Sequence, residues 1–362
     1  MQGLIAVFSD LPDPRAANAR HDLLEVLYVA LAAVLCGAES CADMAEFGEA
    51  KEDLLREVLQ LKHGIPSHDT FSRLFRLLDP EAFEKAFREF MLAFAQGLKG
   101  VVAIDGKSLR GAFERGQRST PLHLVNVWAA DQRLAIAQCK APGRNEIAGA
   151  VAVIRLLSLK GCIVTTDALH CNAKVAQAIL DRGGEYALVL KENQGPLYAD
   201  ATRLFDAAAR HDESAEERNR SHDRTEERRA IVLCDATLAG RHGFPGLQAI
   251  GRIEALRRAA AKPEERLVRY FVLSQPLAPD KLLRTARLHW GIENELHWTL
   301  DVVFDEDRAR NRKDHGPQNL ALLRKLALNI LKSHPDKASL RRKVKRAGWD
   351  NLFLISLLGQ MR

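Results

Sequence analysis

Val101-Val102-Ala103-Ile104-Asp105-Gly106-Lys107-Ser108-Leu109-Arg110-Gly111 is the stretch around which the rest of the chain is read. Its first four residues are apolar, and two valines and an isoleucine favour a buried strand. A carboxylate then stands where the apolar run stops, followed by glycine and a short basic segment. A carboxylate at the end of an interior strand is costly to bury unless positive charge meets it, and in many enzymes that charge is a divalent cation. The plainer alternative is that Asp105 opens a turn or caps the next segment. The choice rests on whether other carboxylates arrive at the same place.

The chain has 362 residues, 47% of them hydrophobic and 28% charged, enough for two or three domains with ordinary cores. No apolar run approaches the roughly 18 residues of a membrane span, and the N-terminus lacks a signal-peptide pattern, so a cytoplasmic protein is expected. The six cysteines include no C-x-x-C pair. Cys139 and Cys162 lie in strand-like runs and read as core residues. His170-Cys171, beside Asp167, lacks a further ligand at zinc spacing and reads as structural. The net charge of +6 is uneven: residues 331–362 hold eight Lys or Arg against two Asp. Arg341, Arg342 and Lys343 of that tail are candidates for phosphate contacts, with a solvated helix face as the alternative.

From His21 to about Leu98 apolar residues recur at three- and four-residue steps, which predicts helices throughout. Pro66 ends one element there, and Ser67 is placed to cap a helix burying Phe71, Leu74, Phe75 and Leu78. With His68, Arg73 and Arg76 outward this has the outline of a helix-turn-helix, although plain helical bundles share the pattern. After Gly100, strand-like runs at Leu122–Ala129, Leu134–Lys140, Gly161–Thr166 and Tyr186–Leu190 alternate with helical patterns at Glu146–Leu157 and Ala173–Leu180, the signature of an α/β sheet. Residues 206–225 are highly charged and mark a boundary. Runs at Ala230–Leu233, Gln248–Ile253 and Leu267–Leu273 then predict a separate β-rich insertion, and a long helical pattern begins at Lys281. The expected division is a helical N-terminal DNA-binding or association domain (1–98), a core in two parts (99–205 and 280–335), the insertion (206–279) and a basic helical tail (336–362).

Asp167 ends the second strand-like run much as Asp105 ends the first. On a helix, His289, Glu293 and His297 fall four residues apart on one face, beside an apolar stripe of Leu288, Ile292 and Leu296. This is not the spacing of a zinc protease. Two unit negative charges ~4 Å apart repel by about 4 kcal/mol at an effective dielectric near 20, so three carboxylates in one pocket require cations. Two Mg²⁺ or Mn²⁺ ions satisfy them and promote in-line attack on phosphodiesters. Asp105 would bridge both ions, with Asp167 on one and Glu293 on the other.

The chain resembles the H-repeat-associated family of bacterial insertion-sequence transposases, members of the DDE group. The resemblance covers nearly the full length. It rests on Gly64-Ile65-Pro66-Ser67-His68-Asp69-Thr70-Phe71, Ala103-Ile104-Asp105-Gly106-Lys107, Asn145-Glu146-Ile147, Thr166-Asp167-Ala168-Leu169-His170-Cys171, Leu190-Lys191-Glu192-Asn193-Gln194, His289-Trp290-Gly291-Ile292-Glu293-Asn294 and Asn319-Leu320-Ala321-Leu322-Leu323-Arg324. It implies an α/β fold, a ribonuclease-H-like mixed sheet flanked by helices, with a helical N-terminal domain and a β-rich insertion before the catalytic helix. It also implies Asp105, Asp167 and Glu293 as a metal-binding triad, double-stranded DNA as substrate at element ends and target, and a homo-oligomer on that DNA in the nucleoid. Related enzymes carry Tyr, Arg and Lys around the Glu, where this chain has Ala286, His289 and Leu300. Contacts to DNA are therefore expected from Lys107, Arg110, Lys191, Asn193, Gln194, His222, Arg224, His289, His297 and Arg310, with Arg287 and Arg308 as further candidates. A non-catalytic, sequence-specific DNA-binding protein and a stand-alone nuclease are the alternative functions.

Overall fold

The computed structural model describes residues 8–113, 121–207, 214–221, 224–259 and 262–360. The N-terminal part is helical as the periodicity predicts: α1 (Leu23–Leu35), α2 (Cys41–Ala50), α3 (Glu52–Arg56), α4 (His68–Leu77) and α5 (Pro80–Phe94). Asp22 starts α1 by accepting hydrogen bonds from the amides of Leu24 and Glu25. This helix is apolar on all sides and buried almost throughout, as a central helix must be. Phe71, Leu74 and Phe75 of α4 are buried as expected. Ser67 stands before α4 without a side-chain cap bond, and its hydroxyl instead meets the Thr70 hydroxyl at 3.2 Å. Arg76 reaches the C-terminal part of the chain through Asp314, 2.8 Å away.

Among the described residues nine strands form one mixed sheet in the order β3-β2-β1-β4-β5-β9-β8-β7-β6. Strands β1 (Gly100–Phe113), β2 (Pro121–Ala129) and β3 (Leu134–Lys140) are antiparallel neighbours. Helix α6 (Glu146–Arg155) carries the chain to β4 (Cys162–Thr166), which runs parallel to β1. Helix α7 (Ala173–Asp181) leads to β5 (Glu185–Leu190), parallel to β4. Helix α8 (Gly195–Ala207) then precedes β6 (Ser214–Ser221), β7 (Arg224–Cys234), the short α9 (Thr237–His242), β8 (Ala249–Ala259) and β9 (Lys262–Leu273). The runs read as a separate β-rich insertion are strands, but they continue the core sheet: β9 pairs antiparallel with β5, setting Leu190 against Tyr270.

Helix α10 (Pro279–Gly291) crosses this sheet and passes into a wide π-helical turn, Ile292–His297, before α11 (Trp298–Val303). Helices α12 (Gly316–Ser333), α13 (Leu340–Trp349) and α14 (Asn351–Gly359) finish the chain. Every residue of α12 from Gly316 to Leu331 is buried, because the helix lies between β3 and the N-terminal helices α1, α4 and α5. Most of its polar side chains find partners inside, Asn319 Oδ1 being an exception. Lys325 Nζ donates to Gln138 Oε1 (2.9 Å), and the same Gln138 donates to Glu84 Oε1 (3.1 Å), so one amide bridges a buried cation and a buried carboxylate. Burial pushes Glu84 up to about 7 and Lys325 down to about 8. Asn329 donates to the Ala135 carbonyl (2.7 Å) and accepts from its amide (2.9 Å), doing for edge strand β3 what a further strand would do.

In the basic tail Arg341 and Arg342 are exposed. Lys343 corrects the expectation of a phosphate contact: it is 4% exposed, and its ammonium donates to the carbonyls of Leu331 (2.8 Å) and His334 (3.0 Å) at the end of α12. Its charge meets the negative end of that helix.

Asn329→Ala leaves both backbone groups of Ala135 unpaired in the interior. It is expected to lower stability by about 2–4 kcal/mol, seen as a lower midpoint in urea denaturation; an unchanged midpoint would show that the edge of β3 needs no such cover.

Candidate active site

The parallel register of β1 and β4 sets Ile104 against Thr166, so the next residues, Asp105 and Asp167, lie side by side. Asp167 directly follows β4, whereas Asp105 is not the strand end that the apolar run suggests: β1 continues past it to Phe113, paired with β2. Oxygens of both carboxylates and a ring nitrogen of His170 lie within 4.8 Å of one another. Asp167 caps the short turn Ala168–His170, accepting from the His170 amide and, at 2.6 Å, from His170 Nδ1. Asn193 donates to the Ala168 carbonyl (2.7 Å) and Gln194 to the Cys171 carbonyl (2.9 Å), tying the end of β5 to this turn.

Behind the pair runs a second line of polar groups. Glu146, at the start of α6, lies with Oε2 3.7 Å from His170 Nε2 and Oε1 2.5 Å from His123 Nε2. His123 Nδ1 meets the Ser108 hydroxyl at 2.8 Å. Gly106 leaves room for this arrangement, because a Cβ there would run into the Glu146 carboxylate and displace it.

Charge in the site is dominated by acid. Burial first, then the neighbouring Asp167, push Asp105 up to about 7, with Glu293 adding to the effect against the Gly106 amide and His170. Burial opposes ionisation of Asp167 too, yet the hydrogen bond and charge of His170 hold it below the ordinary carboxylate range. Burial opposes a charge on His170 as well, but Asp167, Glu146 and Asp105 together hold its pKa above the ordinary value.

Glu293 lies on the π-helical turn and rims the same cleft as Asp167, Lys191 and His289. It is exposed and outside the tight Asp105–Asp167–His170 group, though near enough to act on Asp105. The π-helical turn breaks the four-residue stripe predicted for this helix. His289 enters the cleft near Asp167, whereas His297 turns to Asp105 (3.6 Å) and Asn126 (3.3 Å). Burial holds His289 at about 4 and His297 at about 3, so both are neutral near pH 7 and form walls of the site rather than cationic phosphate contacts.

A family described as "Transposase DDE domain" matches residues 96–330, and one described as "DDE_Tnp_1-associated" matches residues 5–91. The chain belongs to the DDE transposases. "Putative protein YbfL" of Escherichia coli (strain K12) is 33% identical, with 99% of this chain and 98% of that protein covered. The "H repeat-associated putative transposase YhhI" of the same strain is 32% identical with the same coverage. "Putative transposase YncI" of Escherichia coli O157:H7 is 30% identical over 99% of this chain and 95% of its own length.

Of the transposase's other expected contacts, Lys191, Arg110 and Arg310 are exposed. Lys107 is not available: it is 8% exposed, with its ammonium 2.5 Å from Asp301 and 3.5 Å from both Glu306 and Asp307, so its charge is matched internally. His222 lies outside the described residues, and Arg224 opens β7 with its side chain outside them too. His170 and Glu146 were not expected at the site. Their only sequence signal is membership of the quoted Thr166–Cys171 and Asn145–Ile147 motifs; zinc-ligand spacing, the test applied to His170, does not detect a histidine serving an aspartate three residues away.

An unfolded Asp105 releases its proton near 3.8, whereas the folded carboxyl holds it to about 7. The folded state therefore binds the extra proton between these values, and stability falls as pH rises through that window. In the presence of a chelator Asp105→Asn is expected to remove this fall, on the order of 4 kcal/mol by pH 8, measured as urea stability against pH. Parallel pH curves for both proteins would contradict the assignment.

Proposed function

We propose that this transposase cuts DNA at the ends of an insertion element and joins the freed 3′-hydroxyl to target DNA, using two Mg²⁺ or Mn²⁺ ions. The observation that carries the reading is the convergence of Asp105 with the Asp167–His170 pair from a distant part of the chain, with Glu293 on the rim of the same cleft. A core strand order of β3-β2-β1-β4-β5, three antiparallel strands followed by two parallel ones, supports a ribonuclease-H-like scaffold.

The donor set fits hard divalent cations. It is carboxylate-rich, and burial together with the Asp167 carboxylate drives Asp105 towards its protonated form, an effect added positive charge would reverse. Asp105, Asp167 and Glu293 would hold the ions, which supply charge neutralisation and activation of water or a 3′-hydroxyl for in-line attack on a phosphodiester. His170 donates from Nδ1 to Asp167 and fixes the orientation of that carboxylate. Asn193 and Gln194 hold the turn that carries it. The Glu293 side chain makes no hydrogen bond or ion pair among the described residues, and as an exposed carboxylate on a π-helical turn it is free to swing inward. Duplex DNA would be the partner, in the nucleoid, and handling two element ends together calls for more than one subunit. No described helix is long and apolar enough to cross a membrane.

Asp105→Ala, Asp167→Ala and Glu293→Ala should each reduce metal-dependent cleavage of end-bearing DNA by roughly three orders of magnitude, about 4 kcal/mol of barrier, while leaving DNA binding largely intact. Cut sites mapped on labelled DNA check this. Full activity of any one variant removes that residue, and wild-type protein that binds DNA without cutting it would favour a non-catalytic role.

A further inference from the structure

Strands β7, β8 and β9 present one face to α10, and that face begins where Asp167 and Glu293 end. Strand alternation and register bring Arg228 of β7, Arg257 of β8 and Arg269 of β9 onto it, and Arg287 joins them from α10. The four guanidiniums have too few partners. Arg228 and Arg257 share a single carboxylate, Glu226, at 3.1 and 3.0 Å. Arg257 also has Glu265, but only at 3.7 Å, and Arg287 is paired with Glu217 at 2.6 Å. Arg269 has no carboxylate within ion-pair distance among the described residues. It lies over the Trp290 ring, 4.8 Å from its centre, and burial together with Arg257 and Arg228 lowers its pKa. The floor between the arginines is apolar, with Ile253, Leu267 and Phe271, and the cleft has a volume of about 150 Å³.

Clustered arginines with insufficient carboxylates repel one another, and an anion arriving among them relieves that repulsion. Guanidinium forks match phosphate oxygens in pairs, and the apolar floor with Trp290 suits a sugar or base face lying between phosphates.

We propose that Arg228, Arg257, Arg269 and Arg287 form a second binding site that grips the phosphates of the DNA strand leaving the carboxylate cleft. This rests on the DNA-transposase reading above. In the fold, the site makes the strands after β5 a working part of the cleft wall.

The test uses the full chain and a fluorescent DNA duplex with a single-stranded extension, with binding followed by anisotropy over a range of salt in a chelator. Arg228→Gln with Arg269→Gln is expected to weaken binding at least about tenfold. It should also flatten the plot of log affinity against log salt by about two units of slope, one for each lost phosphate contact. The corresponding Lys double variant should restore the slope, which a purely structural role would not predict. Arg287→Gln, at a more exposed position, should lower the slope by about one and serves if the double variant does not fold. Slopes left unchanged by these substitutions, where the wild-type protein binds and cuts DNA, would overturn this proposal alone. Wild-type protein with no salt-dependent DNA binding would overturn it together with the DNA-transposase reading. Inorganic phosphate competing at millimolar concentration, with DNA affinity unaffected by the substitutions, would assign the cluster to a small anion and overturn the proposal as well.

Discussion

The parallel pairing of β1 with β4 is the constraint on which the rest depends. It places two carboxylates on neighbouring strands, a few ångströms apart, at an end of the sheet where burial already disfavours charge. Repulsion of about 4 kcal/mol at close range does not arise by accident of packing and has to be offset locally. The protein divides the offset unequally. His170 faces Asp167 and keeps it ionised, while Asp105 has only the Gly106 amide and a more distant imidazole and sits near neutrality. One carboxylate of the pair is thus firmly charged, and the other has its charge opposed by burial and by its neighbour, so added positive charge there would relieve it.

Much of this core is legible in the sequence because its physics is local. Short apolar runs rich in Val and Ile, each stopped by Asp, become the first part of β1 and the whole of β4, since a strand buried on both faces admits little but apolar side chains. The run that stops at Asp105 does not stop the strand, which continues through Lys107 and Leu109 against β2. What is not legible arises from distance or from departures from period. Strand β6 is made of Ser214-Ala215-Glu216-Glu217-Arg218-Asn219-Arg220-Ser221, which reads as a charged boundary; it is an edge strand, where no buried face imposes alternation. The π-helical turn at Ile292–His297 follows an apolar stripe of ordinary helical spacing, so the split of His289 from His297 has no local signature. Lys107 and Lys343 sit in basic segments that read as surface, and only the tertiary fold supplies the carboxylates and carbonyls that bury them.

The C-terminal helices bear on the same question of rigidity. Helix α12 is locked to β3 through Asn329 and Lys325, and to the N-terminal helices through Asn319, whose amide reaches the carbonyls of Phe75 and Leu78. Buried polar networks of this kind specify one arrangement, since any slip leaves several groups unpaired at once. The N-terminal helices are thereby held in fixed register with the strands that carry Asp105.

The same reasoning applies on the opposite side of the sheet. Had the strands after β5 formed a sheet of their own, arginines on them would be joined to the carboxylate cleft by a hinge, and their distance from it would vary. Pairing of β9 with β5 removes that freedom: Tyr270 opposes Leu190, the last residue before Lys191 and the Asn193–Gln194 bonds to the Asp167 turn. Arg269 is the next residue along β9. The chain of contacts from Asp167 through β5 to the arginine face therefore consists of backbone hydrogen bonds and two side-chain amides, with no flexible linker between. Positive charge held at a fixed offset from a pair of acids can align a polyanion across them, which a mobile basic domain cannot do without losing orientational entropy at each encounter.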